Sequence, residues 1–404
     1  PPFRVLVDPA RRLQEIGGFG ASGAFHMAGI LQHFFPAGDR ARILDLLFSP
    51  VHGAGLSVVR NIIPPEDGGQ APVLSRAGVA DWSSDADQVW LMRQAAQRGA
   101  TRFISTAWTP PPWMKTNNSI VGGRLRPDCY AAYAEYLAAY AQGYRRHHGL
   151  ELYSISPQNE PDVTVKYASC AWNGEEFRRF VGGHLGPLWR RRKIPAAIML
   201  GEDSEWTEAP AVPTLQDAAA REAVGIVASH AYFGDNHVPG VPLAPRTGVF
   251  TAARQYGKPV WQTEVSAFNA NDPGMDDALY WAQLLHFHLA QDNVSGWLYW
   301  WLVSPGRNRE ALIRLNLAQC SWAANKRLFT LGQFSRFLRP GAVRVAATAN
   351  PAPQIFVSAY AQGRRLFVVA INAQQRAALA EVAVAGTQPV AASAWRTSAT
   401  EDLA

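Results

Sequence analysis

Cysteine, charged residues and long hydrophobic runs are all scarce in this sequence. There are three cysteines among 404 residues, and none forms a Cys-x-x-Cys pair, which argues against a structural zinc site. One disulfide remains open, with Cys129 and Cys170 as the pair to test. The longest apolar run, Gly296–Val303, is much shorter than the roughly 18 residues of a membrane-spanning helix. We therefore expect no membrane segment.

The low charge also limits the possible partners. Charged residues make up 17% of the chain and hydrophobic residues 48%, a composition that excludes intrinsic disorder. The net charge is +6, but the basic residues are scattered apart from Arg190–Lys193, which has the pattern of a solvated helix end. We expect no nucleic-acid partner, although an acidic polymer or a cell surface stays open.

Aromatic residues, in contrast, are plentiful. The chain has 14 Trp, 12 Tyr and 18 Phe, and many of the Trp residues stand beside Pro, Gly or acidic residues rather than inside periodic apolar runs. They either fill the core or line a cleft that stacks against flat ligand faces such as sugar rings.

Short β-rich runs recur through the first 340 residues, and each is followed by a helical pattern. The eight runs are Ile16–Gly20, Leu56–Ile63, Arg102–Ala107, Leu152–Ser156, Ala197–Gly201, Gly225–His230, Pro259–Thr263 and Gly296–Trp301. Most are almost continuously apolar, as expected of parallel strands that are covered on both faces. Eight such units predict a closed (β/α)₈ TIM barrel, with an open doubly wound sheet as the alternative.

The sequence after Pro340 predicts a different architecture. Its β-like runs are Val343–Val345, Phe356–Tyr360, Leu366–Asn372, Leu379–Val384 and Ala391–Trp395, with no convincing helix between them. We expect a small side β-sandwich, to which the alternating segment Phe3–Val7 adds a strand. The predicted division is residues 1–14 for that N-terminal strand, 15–338 for the barrel and 339–404 for the side domain.

Two glutamates stand where apolar strands of the barrel end. Function in such barrels gathers at the C-terminal ends of the strands. Glu160 follows the fourth predicted strand and Glu264 the seventh. A buried carboxylate is costly unless it is paired or used. Glycoside hydrolysis uses two: one protonates the leaving oxygen, which requires a raised pKa, and the other attacks the anomeric carbon.

Four motifs in the right order resemble glycoside hydrolase family 30. The segment Ser156–Pro161 resembles the Asn-Glu-Pro acid/base motif of the retaining glycosidase clan A, which is built on (β/α)₈ barrels. The other three motifs are Gly17–Gly20, Trp108–Lys115 and Trp261–Glu264, and the match continues through Leu331–Phe337 and Arg339–Gly341. The resemblance implies Glu160 as general acid/base, Glu264 as nucleophile, a side domain built from both chain ends, and neither a metal nor an organic cofactor.

Further site residues are expected at the other strand ends. Arg60 is predicted to lie beneath Glu264 and keep it ionised, with an ordinary core ion pair as the alternative. Asn159 is expected to bond the sugar 2-hydroxyl. Tyr232 is expected to donate to Glu264, and His230 is either part of the site or a satisfied core histidine.

Four tryptophans complete the predicted site. Trp108 and Trp113 are expected to line the cleft. Of Trp300 and Trp301, one should form the floor of the cleaving subsite while the other packs into the barrel.

The substrate is a β-linked glycoside by this resemblance. Family members act on xylan, β-1,6-linked galactan or glucan, and glucosylceramide, and the glucuronoxylan-specific ones carry an arginine-bearing loop after the last Trp pair. Here Leu302–Gly306 follows that pair, and the nearest arginines are Arg307 and Arg309. We therefore favour an endo-β-1,4-xylanase without strict glucuronate dependence.

Alternatives from other classes remain. The β-1,6-galactanase, β-1,6-glucanase and glucosylceramidase activities stay open, as does a non-catalytic carbohydrate-binding protein. A metal-dependent barrel hydrolase would need His/Asp clusters at the strand ends, where His230 and His237 are the only near pair. We expect a monomer that binds a polysaccharide or oligosaccharide. The resemblance and the start at Pro1 favour a secreted protein. Side domains of this family normally carry strands beyond the point reached at Ala404.

Overall fold

The structure of the protein is a computed structural model that describes residues 2–65, 73–75, 80–232, 248, 250–267, 274–306, 310–386 and 388–403. The strands in these residues are β1 (Phe3–Glu15), β2 (Gly18–Ser22), β3 (Val58–Ile63), β4 (Arg102–Ala107), β5 (Ser154–Ser156), β6 (Ala197–Asp203), β7 (Val224–His230), β8 (Val260–Glu264), β9 (Gly296–Ser304), β10 (Ala311–Asn316), β11 (Ser321–Ala324), β12 (Val343–Ala347), β13 (Ile355–Gln362), β14 (Arg365–Asn372) and β15 (Ala380–Val384).

The helices surround the barrel strands. They are α1 (Met27–Phe34), α2 (Ala37–Phe48), α3 (Ala86–Gln97), α4 (Tyr130–Gly143), α5 (Gly174–Phe180), α6 (Gly186–Arg192), α7 (Val212–Gln216), α8 (Ala218–Ala223), α9 (Thr251–Gln255), α10 (Met275–Ala290) and α11 (Lys326–Ser335). Among the described helices we find none with the length and apolar character that crossing a membrane requires.

The eight strands β2 to β9 form the closed barrel that the sequence predicts. Each strand pairs in parallel with the next, and β9 pairs with both β8 and β2, which closes the sheet. All eight predicted runs overlap these strands. The (β/α)₈ barrel with a side β-domain from both chain ends is confirmed, and the closure excludes the open doubly wound sheet.

The interior of the barrel explains why its strands are apolar on both faces. A cluster of inward side chains fills the barrel, and a much larger one packs between the strands and the helices. Trp261 lies in the inner cluster. A Cβ atom at Gly17 or Gly296 would lie 2.4 or 2.3 Å from its indole ring, so glycine is needed at both positions.

A hairpin that the sequence analysis did not predict follows the last barrel strand. Strand β10 pairs in parallel with β9, with Ala311 opposite Trp301, and β11 pairs antiparallel with β10. The hairpin extends the sheet beside the exit of β9, before the chain enters α11.

The side β-domain is one five-stranded sheet in the described residues, in the order β14-β13-β12-β1-β15. The predicted strand Phe3–Val7 is present and extends to Glu15. The predicted strand Ala391–Trp395 is wrong, because these residues have no regular structure. The Trp395 ring packs instead on Phe337, with centroids 5.1 Å apart. Phe356 of the sheet packs on Phe287 of α10 and so connects the sheet to the barrel.

The disulfide between Cys129 and Cys170, which the sequence analysis left undecided, does not form in the structure. Cys129 and Cys170 are both buried and both free. Arg126 Nη2 donates to Cys129 Sγ at 3.1 Å. Burial raises the pKa of Cys170 to about 11, so its thiol stays protonated at neutral pH.

Candidate active site

Glu160 and Glu264 come together at the mouth of the barrel. Glu160 lies shortly after β5, Glu264 is the last residue of β8, and they are 8% and 5% exposed. One carboxylate oxygen of each and one ring nitrogen of His230 all lie within 4.8 Å of one another. Two glutamates that are distant in the sequence therefore share one pocket.

Glu264 is held by two donors. Arg60 Nη1 lies 2.5 Å from its Oε2, and the Tyr232 hydroxyl donates to its Oε1 at 2.6 Å. Burial raises the pKa of Glu264, while the charges of His230 and Arg60 and the Tyr232 hydrogen bond act in the opposite direction. Arg60 and Tyr232, both expected near Glu264, are thus in contact with its carboxylate.

His230 lies between three carboxylates. It is fully buried; its Nδ1 is 3.1 Å from Glu160 Oε1, and its Nε2 is 3.8 Å from Glu264 Oε2 and 3.9 Å from Glu202 Oε1. Burial alone would lower the pKa of His230, but the surrounding carboxylates outweigh it and raise the pKa to about 10. The ring is thus a cation at neutral pH.

Arg60 links the residues around it. Its Nη2 donates to Asn159 Oδ1 at 2.7 Å and lies 3.1 Å from Glu202 Oε1, while its guanidinium carbon is 4.7 Å from the Trp108 ring centroid. The bond from Arg60 fixes the orientation of the Asn159 amide.

Glu202 is a buried carboxylate of the pocket that the sequence analysis missed. It is the second-last residue of β6 and has no exposed surface. Burial would raise the pKa of Glu202, but Arg60 and His230 overcome this and lower it to about 2. The signal was in the sequence, because Glu202 directly follows the predicted strand Ala197–Gly201, just as Glu264 follows its own apolar strand.

The backbone at these glutamates is unusual. Glu160 has a φ of 44° and Glu202 a φ of 48°, a left-handed conformation that is uncommon outside glycine. The backbone N–H of Glu160 donates to the carbonyl oxygen of Glu202 at 2.9 Å. Such backbone conformations cost free energy and cluster at functional sites, where the surrounding structure maintains them.

Aromatic rings border the pocket. The Phe25 ring lies 5.2 Å from Trp108, and Trp108 lies 6.0 Å from Trp300. Tyr167 is 50% exposed and lies 6.4 Å from Phe25. Burial and the nearby charges of Glu160 and Glu264 raise the pKa of Tyr167. Phe25 and Tyr167 were not predicted. Phe25 lies three residues after the end of β2, and Tyr167 lies in the irregular segment between β5 and α5.

The two adjacent tryptophans of β9 face different surroundings. The pairing register between β2 and β9 shifts at Trp300, because Ala21 lies opposite Tyr299 and Ser22 lies opposite Trp301. The rings of Trp300 and Trp301 stack with centroids 5.0 Å apart. Trp300 packs on the aromatic cluster at the mouth, and Trp301 packs on the main hydrophobic core. Trp113 is half-buried against that same core.

Three side chains of the pocket could also serve as metal ligands. Glu160, His230 and Glu264 place potential ligand atoms within 4.8 Å of one another. The Arg60 cation contacts Glu264 at 2.5 Å, so a metal ion would have to share that carboxylate with it. His237, Arg307 and Arg309, which the sequence analysis also considered, lie outside the described residues.

Comparison with known proteins gives consistent similarities. Residues 14–318 match the family model described as glycosyl hydrolase family 59. Glucuronoxylanase XynC of Bacillus subtilis is 28% identical over 324 residues, which are 78% of this chain and 70% of that protein. The endo-1,6-beta-D-glucanase of Neurospora crassa is 22% identical over 379 residues, covering 86% of this chain and 76% of that protein.

A solved structure extends the comparison to the fold. The glycoside hydrolase family 30 subfamily 8 xylanase Xyn30A from Clostridium acetobutylicum is 29% identical, with a TM-score of 0.80. The alignment covers 99% of this chain and 92% of that one. The sequence analysis predicts family 30, which is the family named for this xylanase. The family model that matches the chain is described as family 59.

Proposed function

Because the chain belongs to glycosyl hydrolase family 59, we propose that it cleaves β-linked plant polysaccharide by double displacement, with retention of the anomeric configuration. Its xylanase relatives support a glycoside hydrolase of the family 30 type. In this mechanism Glu160 is the general acid/base and Glu264 the nucleophile.

The observation that carries the proposal is the closeness of the two carboxylates. An oxygen of Glu160 lies within 4.8 Å of an oxygen of Glu264. Retaining glycosidases hold their carboxyl groups about 5 to 5.5 Å apart, whereas inverting ones need about 6.5 to 9.5 Å to fit a water molecule. The spacing therefore suits direct attack by a carboxylate on the sugar.

The hydrogen bonds and the sequence motif distinguish the roles of the carboxyl groups. Glu202 is held ionised by its lowered pKa, and Glu264 accepts from both Arg60 and Tyr232. We assign the acid role to Glu160 because it stands in the Asn-Glu-Pro segment Asn159–Pro161.

The reaction then follows in two steps. A Glu264 oxygen attacks the anomeric carbon while the bond to the leaving oxygen breaks, and that oxygen takes the proton of Glu160. In the second step Glu160 accepts a proton from water, and the water oxygen attacks the same carbon and releases Glu264. Each step inverts the anomeric carbon once, so the product keeps the β-configuration.

We further propose that the substrate is xylan and that the enzyme acts internally, without strict dependence on glucuronate. The relatives named glucuronoxylanase and xylanase support the choice of xylan. After the Trp pair, Leu302, Val303 and Ser304 are buried residues of β9 and offer no cation to an acidic branch.

The strongest alternative substrate is β-1,6-glucan. The Neurospora crassa relative named for that linkage aligns with 86% of this chain. An aromatic mouth formed by Phe25, Trp108 and Trp300 suits either polymer, because sugar rings of both present apolar faces to stack on.

A polysaccharide panel with product sizing tests the proposal. Glucuronoxylan, arabinoxylan, β-1,6-galactan and β-1,6-glucan are digested in the presence of EDTA, and early products are followed by NMR. We expect both xylans to give internal fragments with the β-anomer first, and the Glu264→Gln variant to be inactive. An α-anomer appearing first would overturn double displacement. If β-1,6-glucan alone is cleaved, it replaces xylan as the proposed substrate.

A further inference from the structure

Glu202 is a third carboxylate in the pocket that the proposed chemistry does not use. Its side chain has no accessible surface, so it cannot touch a substrate. A buried carboxylate without partners is costly, and an ionised one requires compensating charge. Its position therefore needs an explanation in terms of its neighbours.

Its contacts reach the supporting cations of both reacting carboxylates. Glu202 Oε1 lies 3.1 Å from Arg60 Nη2, and Arg60 in turn contacts Glu264 through Nη1. The same Oε1 lies 3.9 Å from His230 Nε2, and His230 in turn contacts Glu160 through Nδ1. One buried anion thus lies behind two cations, each of which faces a different reacting carboxylate.

The backbone adds an independent connection. The Glu202 carbonyl accepts the N–H of Glu160 at 2.9 Å, and both residues hold a left-handed conformation. A shift of Glu202 would therefore move Glu160 directly. Strands β5 and β6 deliver the two residues to this point.

We propose that Glu202 is a positioning residue that keeps His230 charged and Arg60 in place, and thereby holds the carboxylates of Glu160 and Glu264 in their contacts with these two cations. This inference rests on the proposed glycosidase function. It deepens that function by assigning a role to a residue that never meets the sugar.

Charged and titratable groups from several elements surround His230, and together they determine how its pKa responds to the loss of the Glu202 charge. These are Arg60 from β3, Glu160 after β5, Glu202 and Asp203 from β6, Tyr232 after β7, and Glu264 from β8. Removing the Glu202 charge leaves the two cations facing fewer anions. The Glu202 charge stabilises the imidazolium of His230, so without it His230 loses its proton at a lower pH. The charged contact between His230 and Glu160 is then lost earlier as the pH rises, and activity falls with it.

The experiment compares Glu202→Gln and Glu202→Asp with the wild type in kcat and KM across pH. For Glu202→Gln we expect a lower kcat, a KM close to that of the wild type, and an alkaline limb that moves down by about 1 to 3 pH units, the usual effect of an opposite charge at this range. Glu202→Asp restores the charge, and its limb should return toward the wild-type position.

Asp277→Asn is the matched control, since Asp277 is another fully buried carboxylate that pairs with an arginine, at 2.6 Å from Arg327 Nε. It should lower the melting temperature without moving the limb. If Glu202→Gln leaves both kcat and the limb unchanged, or if Asp277→Asn shifts the limb equally, the inference is overturned. Failure of the wild type to cleave any glycoside would instead overturn the proposed function.

Should Glu202→Gln not fold, NMR of the wild-type protein decides the question. The ¹⁵N signals of the His230 ring, assigned by comparison with His230→Asn, report whether both nitrogens carry protons. An imidazolium at pH 7 supports the inference, and a neutral ring contradicts it.

Discussion

Arg60 Nη1 lies 2.5 Å from Glu264 Oε2, and the two side chains are 0% and 7% exposed. Both side chains are shielded from bulk solvent, so the attraction is little screened. The second amino group of Arg60 is engaged by Asn159 and Glu202, which fixes the guanidinium in one orientation. Arg60 therefore does more than neutralise one charge: from β3 it contacts side chains that lie after β5, on β6 and at the end of β8.

Replacing Arg60 should shift the acid limb of the pH profile. The Arg60 charge lowers the pKa of Glu264, so Arg60→Gln raises that pKa, and the limb should move to higher pH by about 1 to 3 units. Arg60→Lys keeps the charge but loses the fork that contacts Asn159, so its limb should stay closer to that of the wild type while its rate falls. The measurement is kcat/KM from pH 4 to 8. Arg327→Lys, which alters a buried arginine outside the pocket, is the control; an equal shift there would contradict the assignment.

The two glutamates should respond differently to the leaving group. Glu160→Ala should lose about 10²- to 10⁴-fold on polysaccharide, because the leaving oxygen then lacks its acid. It should lose far less on an aryl glycoside whose phenolate leaves unassisted, and azide should restore turnover by attacking the intermediate. Glu264→Gln should be inactive on both substrates. Equal losses on both substrates for Glu160→Ala, without azide rescue, would remove its role as acid/base. Glu151→Gln, on the exposed surface, serves as the control.

The neighbouring tryptophans of β9 should separate into one binding and one packing residue. Trp300 lies against the mouth cluster, so Trp300→Ala should raise KM about tenfold, the loss of roughly 1.4 kcal/mol of stacking. Trp301 lies against the main core, so Trp301→Ala should mainly lower stability, by about 2 kcal/mol for a half-buried ring. Steady-state kinetics and thermal melts on both variants test this division. The reverse pattern would exchange the two roles.

Acid should destabilise the protein through two buried histidines of α10. Burial lowers the pKa of His286 to about 4 and that of His288 to about 3, below the ordinary 6.5. Between these values the unfolded chain binds protons that the folded chain does not, so stability falls as the pH drops from 6.5 toward 4. At pH 4.5 each should cost about 2 kcal/mol.

Melts of His288→Gln across this range provide the measurement. The variant loses the bond that Trp297 Nε1 donates to His288 Nδ1, so it should be less stable at pH 7, but its stability should fall less on acidification. His52→Gln, at an exposed position, should retain the full wild-type dependence. A His288→Gln variant as acid-sensitive as the wild type would contradict the prediction.

The barrel could be predicted because its strands are apolar on both faces. Runs such as Arg102–Ala107 coincide with the observed strands, since burial between core and helices leaves little freedom in composition. The hairpin strands Ala311–Asn316 and Ser321–Ala324 escaped because they are short and follow the barrel pattern without a helix between. The strand predicted at Ala391–Trp395 was wrong because the segment has a strand-like composition, whereas the Trp395 ring packs on Phe337 and not on the sheet.

The site was predictable where one strand end carried the information. Glu160 follows β5, Glu264 ends β8 and Arg60 lies within β3, so the barrel topology brings the three to one pocket. What could not be read is how partners from different strands interact. The charge of His230 and the deep burial of Glu202 follow from contacts between β3, β6, β7 and β8, and no local pattern encodes them.

The position of β1 has a consequence for how the chain is made. β1 pairs antiparallel with β12 and in parallel with β15, so this strand, which precedes the barrel in the sequence, has both of its neighbours after the barrel. The ribosome must synthesise the entire barrel before β1 can pair with β12 and β15. Until then its unpaired edges need shielding, and a nascent chain stalled before Val343 would present them to any chaperone or neighbouring polypeptide.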